Sequence, residues 1–354
     1  MVPYLMDKKI SVSIIIPVYK VEKYIERCIQ SVIDQAESVP SIECILVDDC
    51  GGDRSIDLAE DFIRKYEGPV IFRVIRNELN MGVAASRNTG MQNAGGDYIL
   101  LLDSDDMLAP DCLKALTAVL TEHPHTDVIL GNTYYTHEKR LMVAEDSLPE
   151  GFICKKDLLR GYFLSHIPET PWNILVKKDL ITHHQLYFVP RLPHEDTLWT
   201  FQLFSNTEEF FFVPQVTYIY EDNPASFMNA LNPDTHTKGI VYILDYHLDH
   251  FVHSLYVDNT LYVLWHLNHE MDVVRNTCLS PELAKAVRKL RNRIFLRDIL
   301  NLRIILALYE LQLFHPFCLI KKWKWYRHHF HGLTEIVRKI ANFFSPFHVF
   351  TPKK

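Results

Sequence analysis

The chain has 354 residues, 48% of them hydrophobic and 12% aromatic, with a formal net charge of −7, which allows two domains or one large one and argues against a nucleic-acid partner for the whole chain. Its seven cysteines include no CxxC pair, so a reduced, cytoplasmic compartment fits better than a disulfide framework. The opening MVPYLMDKKI has no apolar core of a signal peptide, and no run of about 18 uncharged apolar residues predicts a membrane span.

Strands and helices alternate over the first 130 residues. VSIIIP (Val12–Pro17) is a short apolar run, as for a strand covered on both faces. Residues 22–33 place Ile25, Ile29 and Val32 on one helical stripe. A second strand over 42–47 ends in Asp48-Asp49, and a helix over 53–66 is closed by Gly68 and Pro69. Residues 70–75 are a third strand, and 82–93 a helix that Gly90 weakens. Residues 98–102 are a fourth strand, followed by a helix over 110–120 and a strand over 128–130. This order predicts an α/β domain with a mainly parallel sheet flanked by helices. Ligands of such sheets bind beyond the carboxyl ends of the strands, at a switch point in strand order. Residues 152–227 read as irregular and proline-rich, and from about 237 the pattern turns helical.

The acids sit where that rule places chemistry. ILLLDSDDMLAP carries Asp103, Asp105 and Asp106 at the tip of an apolar run. Like charges about 4 Å apart repel by about 4 kcal/mol at an effective dielectric of about 20. Asp106 suits the cap of the following helix, but one cap does not need three acids. Oxygen ligands at a strand tip suit Mg²⁺ or Mn²⁺, which bind through one or two carboxylates plus substrate phosphates. On this reading the balancing positive charge arrives with the substrate. Asp48-Asp49-Cys50-Gly51-Gly52 reads either as a turn or as a ligand for a base or ribose. NMGVAASRNTG (80–90) is a glycine-started helix whose Arg87 could meet phosphate or orient the acids. His194-Glu195-Asp196 is either a helix start or a general base beside aromatic residues. His194 could orient those acids, and His236, read as a loop residue, is a remote candidate.

Together and in order, VSIIIPVYKVEKYIERCIQSV, ILVDDCGGDRS, NMGVAASRNTG, GDYILLLDSDDMLAPD and PHEDTLW resemble family 2 glycosyltransferases of the GT-A, Rossmann-like fold, over roughly residues 10–225. The resemblance implies a nucleotide-sugar donor, a saccharide or lipid-linked acceptor and inversion at the transferred carbon. It implies a donor site from Pro17, Val18, Tyr19, Asp48, Asp49, Asn80, Arg87, Asp103 and Ser104, with Asp49 on the uracil edge. Asp105 and Asp103 would hold the metal, Asp196 would be the catalytic base, and Glu195 and Trp172 would lie near the acceptor. It divides the chain into a donor half (1–130), an acceptor half (131–236) and a helical C-terminal extension (237–354). Two positions depart from the family pattern. Cys50-Gly51 replaces Gly-Ser, and Glu221 stands where many relatives carry a base near the phosphates. A nucleotidyltransferase or a non-catalytic binding relative is the alternative. The first would need a glycine-rich basic loop that PVYKVEKY lacks, the second a loss of acids that are present.

From Asn301 to Lys354 nine Lys and Arg face two Glu. With Ile304–Ile320 and KKWKWYRHHF, this tail has the chemistry of an interfacial helix on an anionic membrane, or of a helical bundle with a basic face. The first reading places the protein on the cytoplasmic face of the inner membrane.

Overall fold

The computed structural model describes residues 10–144, 148, 150–163, 167–223, 233–250 and 280–300. The basic tail lies outside the described residues. Contacts divide the chain into two units, residues 1–283 and 284–354. The first holds the sheet, in ten strands among the described residues.

β1 (Ser11–Val18), β2 (Ser41–Asp48), β3 (Ile71–Arg76) and β4 (Tyr98–Leu101) run parallel in the order β3-β2-β1-β4. The run from Val12 to Val18 is buried throughout, as an unalternating apolar strand requires. Helices α1 (Ile25–Ile33), α2 (Ser55–Ile63) and α3 (Val83–Asn93) are the crossovers. Gly90 has a packing reason: a Cβ there would run into the side chain of Ile15, so glycine lets α3 lie against β1.

Beyond β4 the sheet is mixed. β9 (Ile174–Lys177) is antiparallel to both β4 and β6 (Val128–Tyr135), and β10 (Phe210–Tyr220) runs parallel to β6. The short β5 (Met107–Leu108) pairs antiparallel with the end of β10, while β7 (Arg140–Leu141) and β8 (Gly151–Ile153) pair with β6 and β10. The boundary expected at residue 130 thus runs through β6. The stretch 152–227, read as irregular, instead holds β8, α5 (Lys155–Phe163), β9, α6 (Lys178–His184), α7 (Glu195–Asn206) and β10. Its described prolines misled because they fall between elements, apart from Pro214 at a register shift of β10. Asn173, in the left-handed region at φ 61°, ties this half together. Its amide donates to the Gly131 and Asn132 carbonyls and Thr133 Oγ1, and its Oδ1 accepts from Thr217.

α4 (Cys112–Glu122) begins two residues later than expected, and α8 (Pro233–His250) places His236 on a helix rather than in a loop. α9 (Pro281–Leu300) is the last described element.

Candidate active site

The carboxyl ends of β2, β1 and β4 open on one side of the sheet, and the acids stand there. Asp49 is 2% exposed. Its Oδ1 accepts from Asn77 Nδ2 (2.8 Å) and the Met81 amide (2.8 Å), its Oδ2 from Asn80 Nδ2 (3.0 Å) and the Gly82 amide (2.8 Å). Four donors fill the lone-pair positions of a carboxylate, so in this structure Asp49 frames the 77–82 loop. Asn80, expected in the donor site, spends its amide on Asp49. Asp48 is partly exposed, accepts from the Cys50 amide at 3.0 Å and lies 3.8 Å from Arg76 Nε. Pro17 and Val18 are buried, whereas Tyr19 is 44% exposed at the strand end.

The positive charge facing the acid cluster belongs to the protein, which corrects the expectation that it comes with the substrate. Arg87, 4% exposed on α3, reaches Asp103 Oδ1 at 2.8 Å with one terminal nitrogen and Glu195 Oε1 at 2.9 Å with the other. Its guanidinium lies 5.3 Å over the Phe188 ring, and Asn88, next on α3, exchanges two hydrogen bonds with the Phe188 backbone. One helix thus clamps the loop after β4 and the approach to α7.

Asp106 is not a helix cap. The residue before α4 is Asp111, in the left-handed region, and Asp106 lies 1% exposed below the strand tip. It accepts from the Tyr218 hydroxyl and the Glu221 amide, both at 2.8 Å, while the Asp103 amide donates to the same hydroxyl at 3.2 Å. Burial, then the neighbouring Asp103 and Asp105, push its carboxyl up to about 8. Ser104 is buried. Asp105 is partly exposed, and its Oδ2 accepts from Asn223 Nδ2 at 2.9 Å. Burial and Asp103 raise its carboxyl as well. Glu221, the departure from the family pattern, lies 3.5 Å from Arg27 of α1, which also donates to the Asp105 carbonyl.

His194 precedes α7 in the left-handed region (φ 60°), so Glu195 and Asp196 form the first turn of the helix. Burial raises both carboxyls, Arg87 opposing it in each case. Trp172, expected near the acceptor, is 5% exposed and stacks on Tyr218 with ring centroids 4.5 Å apart. It is a wall behind the acid cluster.

Residues 13–182 match the model of Glycosyl transferase family 2. The chain carries a family 2 glycosyltransferase domain. It is 28% identical over 302 residues to the uncharacterized glycosyltransferase EpsJ of Bacillus subtilis (strain 168), across 82% of this chain and 85% of EpsJ. It is also 28% identical over 212 residues to the poly(ribitol-phosphate) beta-N-acetylglucosaminyltransferase TarS of Staphylococcus aureus, across 59% of this chain and 35% of TarS. The crystal structure of TarS 1–349 shares the fold, with a TM-score of 0.63 at 21% identity over 80% of each chain.

The acids of this glycosyltransferase suit a divalent cation. They are oxygen ligands, and after the bonds to Arg87 and Asn223 one oxygen of Asp103 and one of Asp105 keep no side-chain donor among the described residues. A partly buried carboxyl raised by burial and by its acidic neighbour gains from a cation. Among the described residues no group of three His, Cys, Asp or Glu is placed to hold a metal.

Four groups escape a motif reading of the domain: Tyr218, Asn223, Asn77 and Arg27. Only the tyrosines left a trace, since Tyr218 and Tyr220 alternate along a strand and so share a face.

Proposed function

We propose that the protein is an inverting transferase that moves a hexosyl or N-acetylhexosaminyl group from a UDP-linked donor to a hydroxyl of a saccharide or lipid-linked saccharide, in cell-surface polysaccharide synthesis. The observation that carries this is the chain Asp103–Arg87–Glu195, which joins the donor loop to the helix turn bearing Asp196. TarS, named a beta-N-acetylglucosaminyltransferase, has been solved in complex with UDP-GlcNAc, and that structure shares the fold at a TM-score of 0.58 and 20% identity. These relatives support a UDP-linked donor and a β-linked product.

In this reading Asp48, Tyr19 and the 77–82 loop receive the nucleoside, and Asp103 lies towards the ribose. Mg²⁺ or Mn²⁺ bound at Asp105 and Asp103 supplies charge neutralisation for the diphosphate. Arg87 holds Asp103 and Glu195 in place. Asp196 takes the proton of the acceptor hydroxyl as its oxygen bonds to the anomeric carbon and the nucleoside diphosphate leaves with the electron pair. Burial raises the Asp196 carboxyl, and a base works best when its proton affinity approaches the operating pH. Arg27, beside Asp105 and Glu221, supplies a positive charge near the position where relatives carry their base. No described helix is long and apolar enough to cross a membrane. The basic tail then serves as a peripheral contact with the anionic cytoplasmic face.

The test is UDP release from a panel of UDP-sugars, with and without Mn²⁺, followed by mass analysis of the product. Asp196→Asn should bind UDP as the parent does and lose about 10²–10⁴-fold in transfer, the usual worth of base catalysis. Transfer within a few-fold of the parent places the base elsewhere.

A further inference from the structure

The turn that delivers Asp196 is held from outside the segment that matches the family, which ends at residue 182. Helix α8 runs alongside α7. Gln202 of α7 donates to the Tyr246 hydroxyl at 2.9 Å, and the Phe201 ring packs on Tyr246 and His247. At its start α8 meets the turn itself. His236 Nδ1 lies 2.7 Å from His194 Nε2, with the rings 4.6 Å apart and inclined at 76°. One turn further, a Cβ on Gly239 would run into the carbonyl oxygen and ring of Pro193, so helix backbone and turn backbone are in contact.

This contact bears on a conformation that His194 does not adopt cheaply. A histidine at φ 60° is uncommon, and the His194 side chain makes no hydrogen bond that caps α7. It turns instead to His236. Since His194 directly precedes Glu195, its backbone angles set the direction in which Glu195 and Asp196 enter the site.

We propose that His236, seated by Gly239, is a positioning residue for transfer: it holds His194 in the left-handed conformation and thereby aims Asp196 at the acceptor hydroxyl. This rests on Asp196 being the base. In the imidazole pair one ring nitrogen donates and the other accepts, and the atoms involved are Nδ1 of His236 and Nε2 of His194. An asparagine places an amide atom near the Nδ1 position of a histidine, and a glutamine places one near the Nε2 position. The contact is therefore replaceable at 236 by Asn and at 194 by Gln.

The experiment is steady-state kinetics of full-length variants, with thermal melting as the check on folding. His236→Leu should lower kcat by about ten- to a hundredfold, the scale of a misaimed group, with donor KM within about twofold of the parent. His236→Asn and His194→Gln should recover most of that loss, and His236→Gln should not. Gly239→Ala, which pushes α8 off the turn, should show the same fall in kcat at unchanged donor KM. A parent-like kcat in His236→Leu, equal rates in His236→Asn and His236→Gln, or a rise in donor KM that accounts for the loss overturns the proposal. If His236→Leu does not fold, the Asn and Gln pair decides it. Asp196→Asn separates the two ideas. If it still transfers, the base assignment fails. If it is inactive while His236→Leu is not, only the positioning role fails. In the Asp196→Asn background, His236→Leu should leave the residual rate unchanged.

Discussion

Arg87 offers the sharpest test of how the site is held. Its side chain is 5% exposed and pairs with Asp103 and Glu195 at 2.8 and 2.9 Å. Arg87→Leu leaves both carboxylates facing one another across a space from which the guanidinium they share has gone. Removing one partner of a buried pair costs about 3–5 kcal/mol, which for a unit spanning residues 1–283 lowers the melting midpoint by roughly 5–8 °C. The signature is its pH dependence. Burial raises the Glu195 carboxyl and Arg87 opposes it; without Arg87 that carboxyl takes up a proton more readily, so the deficit shrinks as pH falls. Urea denaturation of parent and variant at pH 8 and pH 5.5, followed by circular dichroism, reads both quantities. Adding Asp103→Asn and Glu195→Gln to Arg87→Leu should return part of the lost stability, because the repulsion goes with the charges. A loss below about 1 kcal/mol at pH 8, or one of equal size at both pH values, refutes the view that Arg87 is the counter-charge of the acid cluster.

Two further tests concern carboxylates with other duties. Burial pushes Glu43 up, but hydrogen bonds from Ser13, the Gly95 and Gly96 amides and Arg73 outweigh it and lower its carboxyl overall. Its stabilisation is therefore present above the ordinary glutamate range and lost as pH falls through the lowered value. Glu43→Gln should cost about 1–3 kcal/mol at pH 7 and progressively less as pH falls below the ordinary glutamate range, measured by urea titration; a pH-independent difference refutes this. Asp49→Asn turns two of four acceptor positions into donors facing Asn and amide N–H groups. It should cost about 1–3 kcal/mol of stability and weaken UDP binding through disorder of the 77–82 loop, whereas a parent-like melt places that carboxylate's role elsewhere.

Much of residues 1–130 was legible because its signals are local. Unalternating apolar runs such as Val12–Val18 mean a strand covered on both faces, and the structure buries that run completely. The acids at strand tips lie where an α/β sheet keeps its ligands. The stretch after β6 was not legible: β9 and β10 pair with partners far along the chain, and prolines between elements imitate loop.

By itself the sequence determined the strand–helix order, the family motifs and the set of acids at the strand ends, since each is written in residues a few positions apart. Tertiary structure alone decided what each acid does. Asp103 meets Arg87, Arg87 meets Glu195 across 108 positions, and the Asp103 amide meets Tyr218 across 115. Asp106 became a buried partner of a tyrosine rather than a cap, and Asp49 the frame of a loop, because a carboxylate's role follows from the donors that surround it. Those donors come from strands and helices that only the folded sheet brings together.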